Sequence, residues 1–277
     1  MTLRMFQDVV AYRELVFALT CRDIRVKYKQ AVMGVAWAFF LPLLAVLAGL
    51  VVRVAMAGLR GELEGGAALN TTELGSVMVR SVAWVLFASV IGGASMSLIG
   101  NISLVTKIYF PRQVLPLATL LSSLFDFAIS SVGVVLAAAA LSLWTAKPVI
   151  VLSWNLLYVP LLILILIVMT VGLGLFLAAA NLFFRDVKYI VEVLLRFGIF
   201  FSGVFIFVSD LPGMMGKLML LNPVTPLMEA LGAAVTGGPI AAEQWTWVGY
   251  SAAFAVGVLI IACAVFDRAE SLFAEYV

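Results

Sequence analysis

Four cations fall within eight residues in RDIRVKYK, at Arg22, Arg25, Lys27 and Lys29, and an apolar, aromatic run follows at once. Such a group can bind anions, lipid headgroup phosphates above all, and can hold its segment on one side of a membrane. A second polar set lies inside an apolar run. Asp126, in LSSLFDFAISS, has Ser122, Ser123 and Ser130 at i−4, i−3 and i+4, where hydroxyls come within reach of a carboxylate. Glu192 and Arg196 have the i, i+4 order that favours an intrahelical ion pair, and Arg53 stands near the far end of the first apolar run, placed to snorkel to headgroups. Charges at membrane depth cost at least a few kcal/mol and are functional by default. Two carboxylates in unrelated runs still fall short of the acid chain that a proton-coupled carrier needs.

Other chemistries find little to work with. The stretch GMMGKL, Gly213 to Leu218, lacks the GxxxxGK[ST] spacing of a phosphate loop, so ATP-driven work is expected of another polypeptide. The chain has no histidine and two cysteines, Cys21 and Cys263, which excludes a conventional zinc site, and no disulfide is expected.

The elements that must position these groups are membrane helices. Of 277 residues, 64% are hydrophobic and 12% charged, with a mean hydropathy of +1.17, far from the roughly 25% charged residues of soluble domains. Apolar runs near or above the ~20 residues that cross a bilayer recur at 33–57, 76–99, 116–143, 151–180, 190–208 and 246–266. The fold class expected is an all-α integral membrane protein of six transmembrane helices in a single domain, 1–277. The first apolar run starts too far from the N-terminus for a cleavable signal. The segment 209–244 holds apolar pieces too short to span, interrupted at Pro212-Gly213 and Asn222-Pro223, and reads as short re-entrant helices.

Orientation follows from charge. Arg4, Arg13, Arg22, Arg25, Lys27, Lys29, Lys107, Arg112, Arg185, Lys188 and Arg268 share one side, against Arg60, Arg80, Lys147 and Lys217 on the other. Positive residues are retained in the cytoplasm, so both termini are expected there. Within 1–32, Arg22, Arg25 and Lys29 share one helix face and Phe17, Ile24 and Tyr28 another, while Tyr12, Leu15, Leu19 and Val26 form a second apolar strip. Two readings stand for this helix: a positive-inside anchor alone, or a functional interface helix on the inner leaflet or against protein.

Four stretches, in order, carry a resemblance. They are RELVFALTCRDIRVKYKQAVMGVAWAFFLPL, IGNISLVTKIYFPRQVLPLATLLSSLFDF, FFRDVKYIVEVLLRFGIFFSGVFI and LNPVTPLMEAL. Together they resemble the ABC-2 type permeases that export bacterial polysaccharides: O-antigen, capsular polysaccharide and teichoic acid exporters. The resemblance implies a homodimer of six-helix permeases in the bacterial inner membrane on two copies of a cytosolic ATPase. No cofactor is expected in this chain, ATP and Mg being held by the ATPase, and no nucleic acid partner. An N-terminal interface helix, a coupling helix at 101–111 between the second and third spans, and an outer gate before the last span complete the expected type V exporter fold. A permease exporting a drug or a lipid is the nearer alternative, and a proton-coupled carrier the more distant one.

Roles follow from combining this with the residues. Asn101 can cap the coupling helix and Pro111 fits its end. Lys107, Tyr109, Phe110 and Arg112 are expected to dock on the ATPase, the aromatics in a pocket and the cations on an acidic rim, with Arg185, Asp186 and Lys188 as a second contact. Arg22, Arg25, Lys27 and Lys29 are candidates for a lipid phosphate or diphosphate. Aromatic rings stack on the apolar faces of sugars, so Trp37, Phe40, Trp84, Phe197, Phe201 and Phe205 are candidates for a glycan channel, the last three expected on one helix face. Leu211, Pro212 and Gly213 are expected at the external gate.

Overall fold

A computed structural model of the chain describes residues 7, 9–29, 34, 36–59, 71–107 and 110–270. Among them lie α1 (Arg13–Tyr28), α2 (Ala36–Leu59), α3 (Thr71–Gly100), α4 (Ile102–Lys107) and α5 (Val114–Thr145). They are followed by α6 (Val159–Phe183), α7 (Val187–Gly198), α8 (Gly213–Leu220), α9 (Thr225–Thr236) and α10 (Ala242–Glu270). The described residues contain no strand. Breaks fall where backbone chemistry demands them. α5 gives way at Ala146 in the left-handed region, followed by Pro148, and α9 stops at Gly237, whose φ of 74 a side chain would disfavour. Pro160 and Pro226 occupy first-turn positions of α6 and α9, where no amide hydrogen bond is lost.

α3 is the central post: α2, α5, α6, α7 and α9 all pack on it, and α10 packs on α6. In lipid no hydrophobic force drives helices together, so close approach through small residues has to serve. A Cβ on Gly172 of α6 would lie 2.7 Å from the Leu259 backbone nitrogen of α10, and one on Gly49 of α2 would lie 2.7 Å from Val77 of α3. Glycine is required at both crossings.

Five helices, α2, α3, α5, α6 with its 3-10 lead-in and α10, are long and apolar enough to cross a bilayer. The run at 190–208, expected as a sixth continuous helix, is instead broken. α7 is 12 residues long, or about 18 Å, against the ~30 Å hydrocarbon core. A 3-10 turn, Ile199–Phe201, and a non-helical stretch follow. This composite still climbs along α3: Leu195 faces Gly92, Gly198 lies under Trp84, and the Gly203 carbonyl accepts a 2.7 Å hydrogen bond from Arg80 Nη1. Gly198, Ser202 and Gly203 at φ 78 explain the break, and Arg80 satisfies a carbonyl that it frees.

α8 and α9 meet at 104°, an elbow of the kind made by a broken span or a re-entrant loop. Pro212 and Gly213 begin α8, so the break between the pair is at Asn222-Pro223 alone. Asn222 Oδ1 accepts the Val224 amide at 3.2 Å, and its Nδ2 donates to the Phe201 carbonyl at 3.1 Å, tying the elbow to the broken crossing. One end of the bundle thus carries α1, α4 and the 184–186 turn, hereafter the basic end. The opposite end carries the elbow and the 146–153 loop.

Candidate functional site

At the basic end one cluster gathers Val16 and Leu19 of α1, Val105 of α4, Phe110, Val114 and Leu115, and Phe266 of α10, with Leu104, Leu182 and Phe183 packed on it. α4 turns Val105 inward and leaves Ile102, Ser103 and Lys107 exposed. Phe184, Arg185 and Asp186 are exposed beside it, and Arg112 is half-buried. Lys107, Arg185 and Asp186 therefore face outward at the basic end. Phe110 does not. At 7% exposure it anchors the α4–α5 turn to the chain's own core, which corrects the expectation that it reaches into a partner. Tyr109 lies outside the described residues. Asn101 does not cap α4 with its side chain: Nδ2 donates back to the Ser97 carbonyl at 2.8 Å, and the Asn101 carbonyl accepts the Leu104 and Val105 amides.

α1 packs lengthwise on the first turns of α5, with Thr20 Oγ1 reaching the Ala118 carbonyl at 3.5 Å. Its buried strip is Val16, Leu19 and Thr20, whereas Phe17 and Val26 are exposed. The segment thus packs against protein with one face and presents another. Arg22, Arg25 and Lys29 line an open groove on that free face with Phe17, Cys21 and Val26, Arg22 being held by Asp23 at 2.7 Å. Lys27 is turned away, paired with Asp126 of α5, and the Tyr28 hydroxyl donates to the same carboxylate. This corrects the expectation that nearby serines satisfy Asp126: Ser130 Oγ donates to the Ala38 carbonyl at 2.6 Å and to the Asp126 carbonyl at 2.8 Å. Burial, then the Asp126 contact, push the Tyr28 phenol above its ordinary range, so it stays a donor across physiological pH. Asp126→Ala is expected to speed amide exchange in the last two turns of α1 about tenfold, since a hydrogen bond to a charged group is lost together with an ion pair. Hydrogen exchange read by mass spectrometry checks it.

The aromatic candidates divide. Trp84 and Phe205 are buried in a second core cluster with Met169, Met228 and Leu231, which corrects their place in a channel lining. Phe197 and Phe201 are exposed, but the helix ends between them and Phe205 turns inward to meet Phe200 at 5.7 Å, so the three do not form one stripe. Trp37 and Phe40 are exposed on α2. They begin a row of Trp37, Phe40, Leu44, Leu47, Val51 and Val54, all exposed at alternating three- and four-residue steps. That is the spacing of a coiled-coil seam. Glu192 and Arg196 pair at 2.8 Å on α7 and are 63% and 68% exposed.

At the opposite end lies a constellation that spacing alone did not reveal. The Phe207 ring is held between two guanidinium groups, Arg53 at 4.1 Å and Arg80 at 4.0 Å. Arg53 pairs with Asp210 and, at 3.1 Å, with Glu73, while Arg80 forks onto Glu229 at 2.8 and 3.2 Å. Glu229 also accepts the Val208 amide at 3.0 Å, and Asp210 accepts the Phe207 amide at 2.9 Å. Arg53 is thus buried and paired rather than snorkelling. The network joins α2, α3, the 207–210 turn and α9, next to Leu211, Pro212 and Gly213, of which Pro212 and Gly213 are exposed. Its sequence signal was the presence of two arginines in or beside apolar runs and two acids near the elbow.

The described helices are those of a multi-pass membrane protein, with exposed charge at one end and an ion-paired elbow at the other. Comparison with known proteins agrees. Residues 14–235 match the family described as ABC-2 type transporter. The chain is similar to the O-antigen export system permease protein RfbA of Myxococcus xanthus, 25% identical over 233 residues, covering 83% of this chain and 84% of that protein. It is also similar to an O-antigen export system permease protein RfbA of Klebsiella pneumoniae, 24% identical over 277 residues and 99% of both chains. A second Klebsiella pneumoniae protein of that description is 22% identical over 279 residues. This chain is a multi-pass membrane protein of the ABC-2 type transporter family.

Proposed function

We propose that the chain is the transmembrane permease subunit of an ATP-binding cassette exporter that moves lipid-linked polysaccharide from the cytoplasm across the bacterial inner membrane. The observation that carries this reading is the similarity, over nearly the whole chain, to permeases described as O-antigen exporters. The basic end faces the cytoplasm, with both termini, and the elbow faces outward as the gate. Two copies of a separate ATPase hold ATP and Mg, and two permease copies pair. The exposed α2 seam supports such pairing, and the exposed Glu192–Arg196 pair supports a polar lumen beside it, because lipid would penalise both charges. Arg22, Arg25 and Lys29 present cations to the lipid carrier's phosphate, while Lys27 holds α1 on α5.

The exposed side chains of Lys107, Arg185 and Asp186 take the ATPase. Opposite charges guide docking and are costly when reversed. Lys107→Glu with Arg185→Glu is expected to weaken binding to the genomically adjacent ATPase by roughly tenfold or more, about 1.4 kcal/mol, and to abolish substrate-stimulated hydrolysis. The check is ATP hydrolysis by the co-purified complex in lipid nanodiscs, beside surface O-polysaccharide in cells. Unchanged hydrolysis and binding in the double variant would sink the docking assignment. Export of a drug or free lipid, with no polysaccharide at the cell surface, would sink the substrate assignment.

A further inference from the structure

Between α5 and α6, at the elbow end, the helices part over α3 and leave an apolar groove of about 730 Å³, within the ~300–1,000 Å³ range of small-molecule sites. Val79 and Val82 of α3 make its floor, Val134 and Ala138 of α5 and Ile163 of α6 its walls, and Pro148 its mouth. It runs from the level of Phe127 to that of Ser142, 15 residues or about 22 Å, longer than the ~15 Å depth of one leaflet. The mouth is fixed in place: the Val149 amide donates to Ser142 Oγ at 3.0 Å and the Val151 amide to the Val235 carbonyl at 2.9 Å.

The groove faces lipid. At ~100° per residue, Val79 lies roughly 140 to 160° around α3 from Val77 and Trp84, the side chains that meet α2 and the end of α7, while Val82 also packs beside Val46 of α2. No residue of α2 or α7 lines the groove, and Val135 and Leu152 on its open side are exposed. Around its mouth, Trp144 and Trp154 are 85% and 86% exposed, as in an interfacial aromatic belt. Lys147 stands exposed beside Pro148 with no acidic partner among the described residues.

We propose that this groove is a binding site for a phospholipid of the surrounding bilayer, one acyl chain lying in the groove between α5 and α6 and the phosphate on Lys147. A long apolar slot with a single cation and a tryptophan rim at its end matches the order of parts in such a lipid, and prefers an anionic headgroup. The site does not depend on what the transporter exports.

Native mass spectrometry of the full-length chain, released from nanodiscs of mixed phosphatidylglycerol and phosphatidylethanolamine, tests the proposal. Wild type is expected to retain at least one phospholipid per chain, enriched in phosphatidylglycerol. Ala138→Phe, which fills the slot, is expected to lose that lipid, and Val132→Phe, on the exposed face of α5, to keep it. Lys147→Gln is expected to keep a lipid and lose about fivefold of the preference for phosphatidylglycerol, which holds the proposal open to test even if Ala138→Phe fails to fold. Wild-type retention and headgroup preference in both variants would overturn the site. So would recovery of the exported carrier lipid, rather than phospholipid, as the retained species.

Discussion

Arg80→Ala is expected to destabilise the permease by about 3 to 5 kcal/mol, the cost of leaving one member of a buried, hydrogen-bonded ion pair without its partner. Three groups lose a partner at once: the Glu229 carboxylate, the Gly203 carbonyl and the Phe207 ring. Glu229→Ala is expected to cost a similar amount, because it strips Arg80 of its counter-charge and Val208 of its amide acceptor. Removing both charges by Arg80→Met with Glu229→Leu is expected to recover most of the loss, since well-packed apolar pairs replace buried ion pairs at little cost. Thermal unfolding in detergent, followed by size-exclusion chromatography, reads the series. Equal stability of Arg80→Ala and wild type would show that the pair does not hold the elbow. If the elbow is the outer gate, the apolar double variant separates stability from gating: a folded protein in which the ionic hold is absent.

Phe110→Ala is expected to cost about 3 to 5 kcal/mol, as for other large aromatic deletions in a packed core. The ring is surrounded by α1, α5 and α10 side chains, so its loss loosens the joint at which α4 turns into α5. The measurement that decides between its two roles is the stability of the isolated permease. A ring that seats in the ATPase would leave the isolated chain unchanged and weaken only the complex, whereas a ring that anchors the turn lowers the melting temperature of the chain alone.

Five crossings and the elbow were legible from hydropathy because length and composition suffice when lipid is the solvent. The sixth was misread as continuous, because the run over 190–208 is apolar enough to pass. What breaks it is local: Gly198, Ser202 and Gly203, with Arg80 ready to take the freed carbonyl. The site divided along a similar line. That Lys107, Arg185 and Asp186 are exposed followed from their loops. That Lys27 pairs with Asp126 did not, since the two are 99 positions apart and only the packing of α1 on α5 joins them. The Arg53–Phe207–Arg80 stack was hidden for the same reason, as Arg53 and Asp210 are 157 positions apart. Periodicity shows which residues share a face, and it is blind to which faces meet.

One helix connects these regions mechanically. α5 has 32 residues, about 48 Å, and begins just beyond the turn that Phe110 pins. α1 is strapped along its first turns by Thr20, Lys27 and Tyr28. A strut of that length is a lever. Tilting it by about 5° at its foot swings its far end by about 4 Å, and the strapped α1 has to swing with the foot. The far end is the wall of the apolar groove beside Lys147, so a small rotation at the basic-end joint widens or pinches that groove at the opposite end of the bundle.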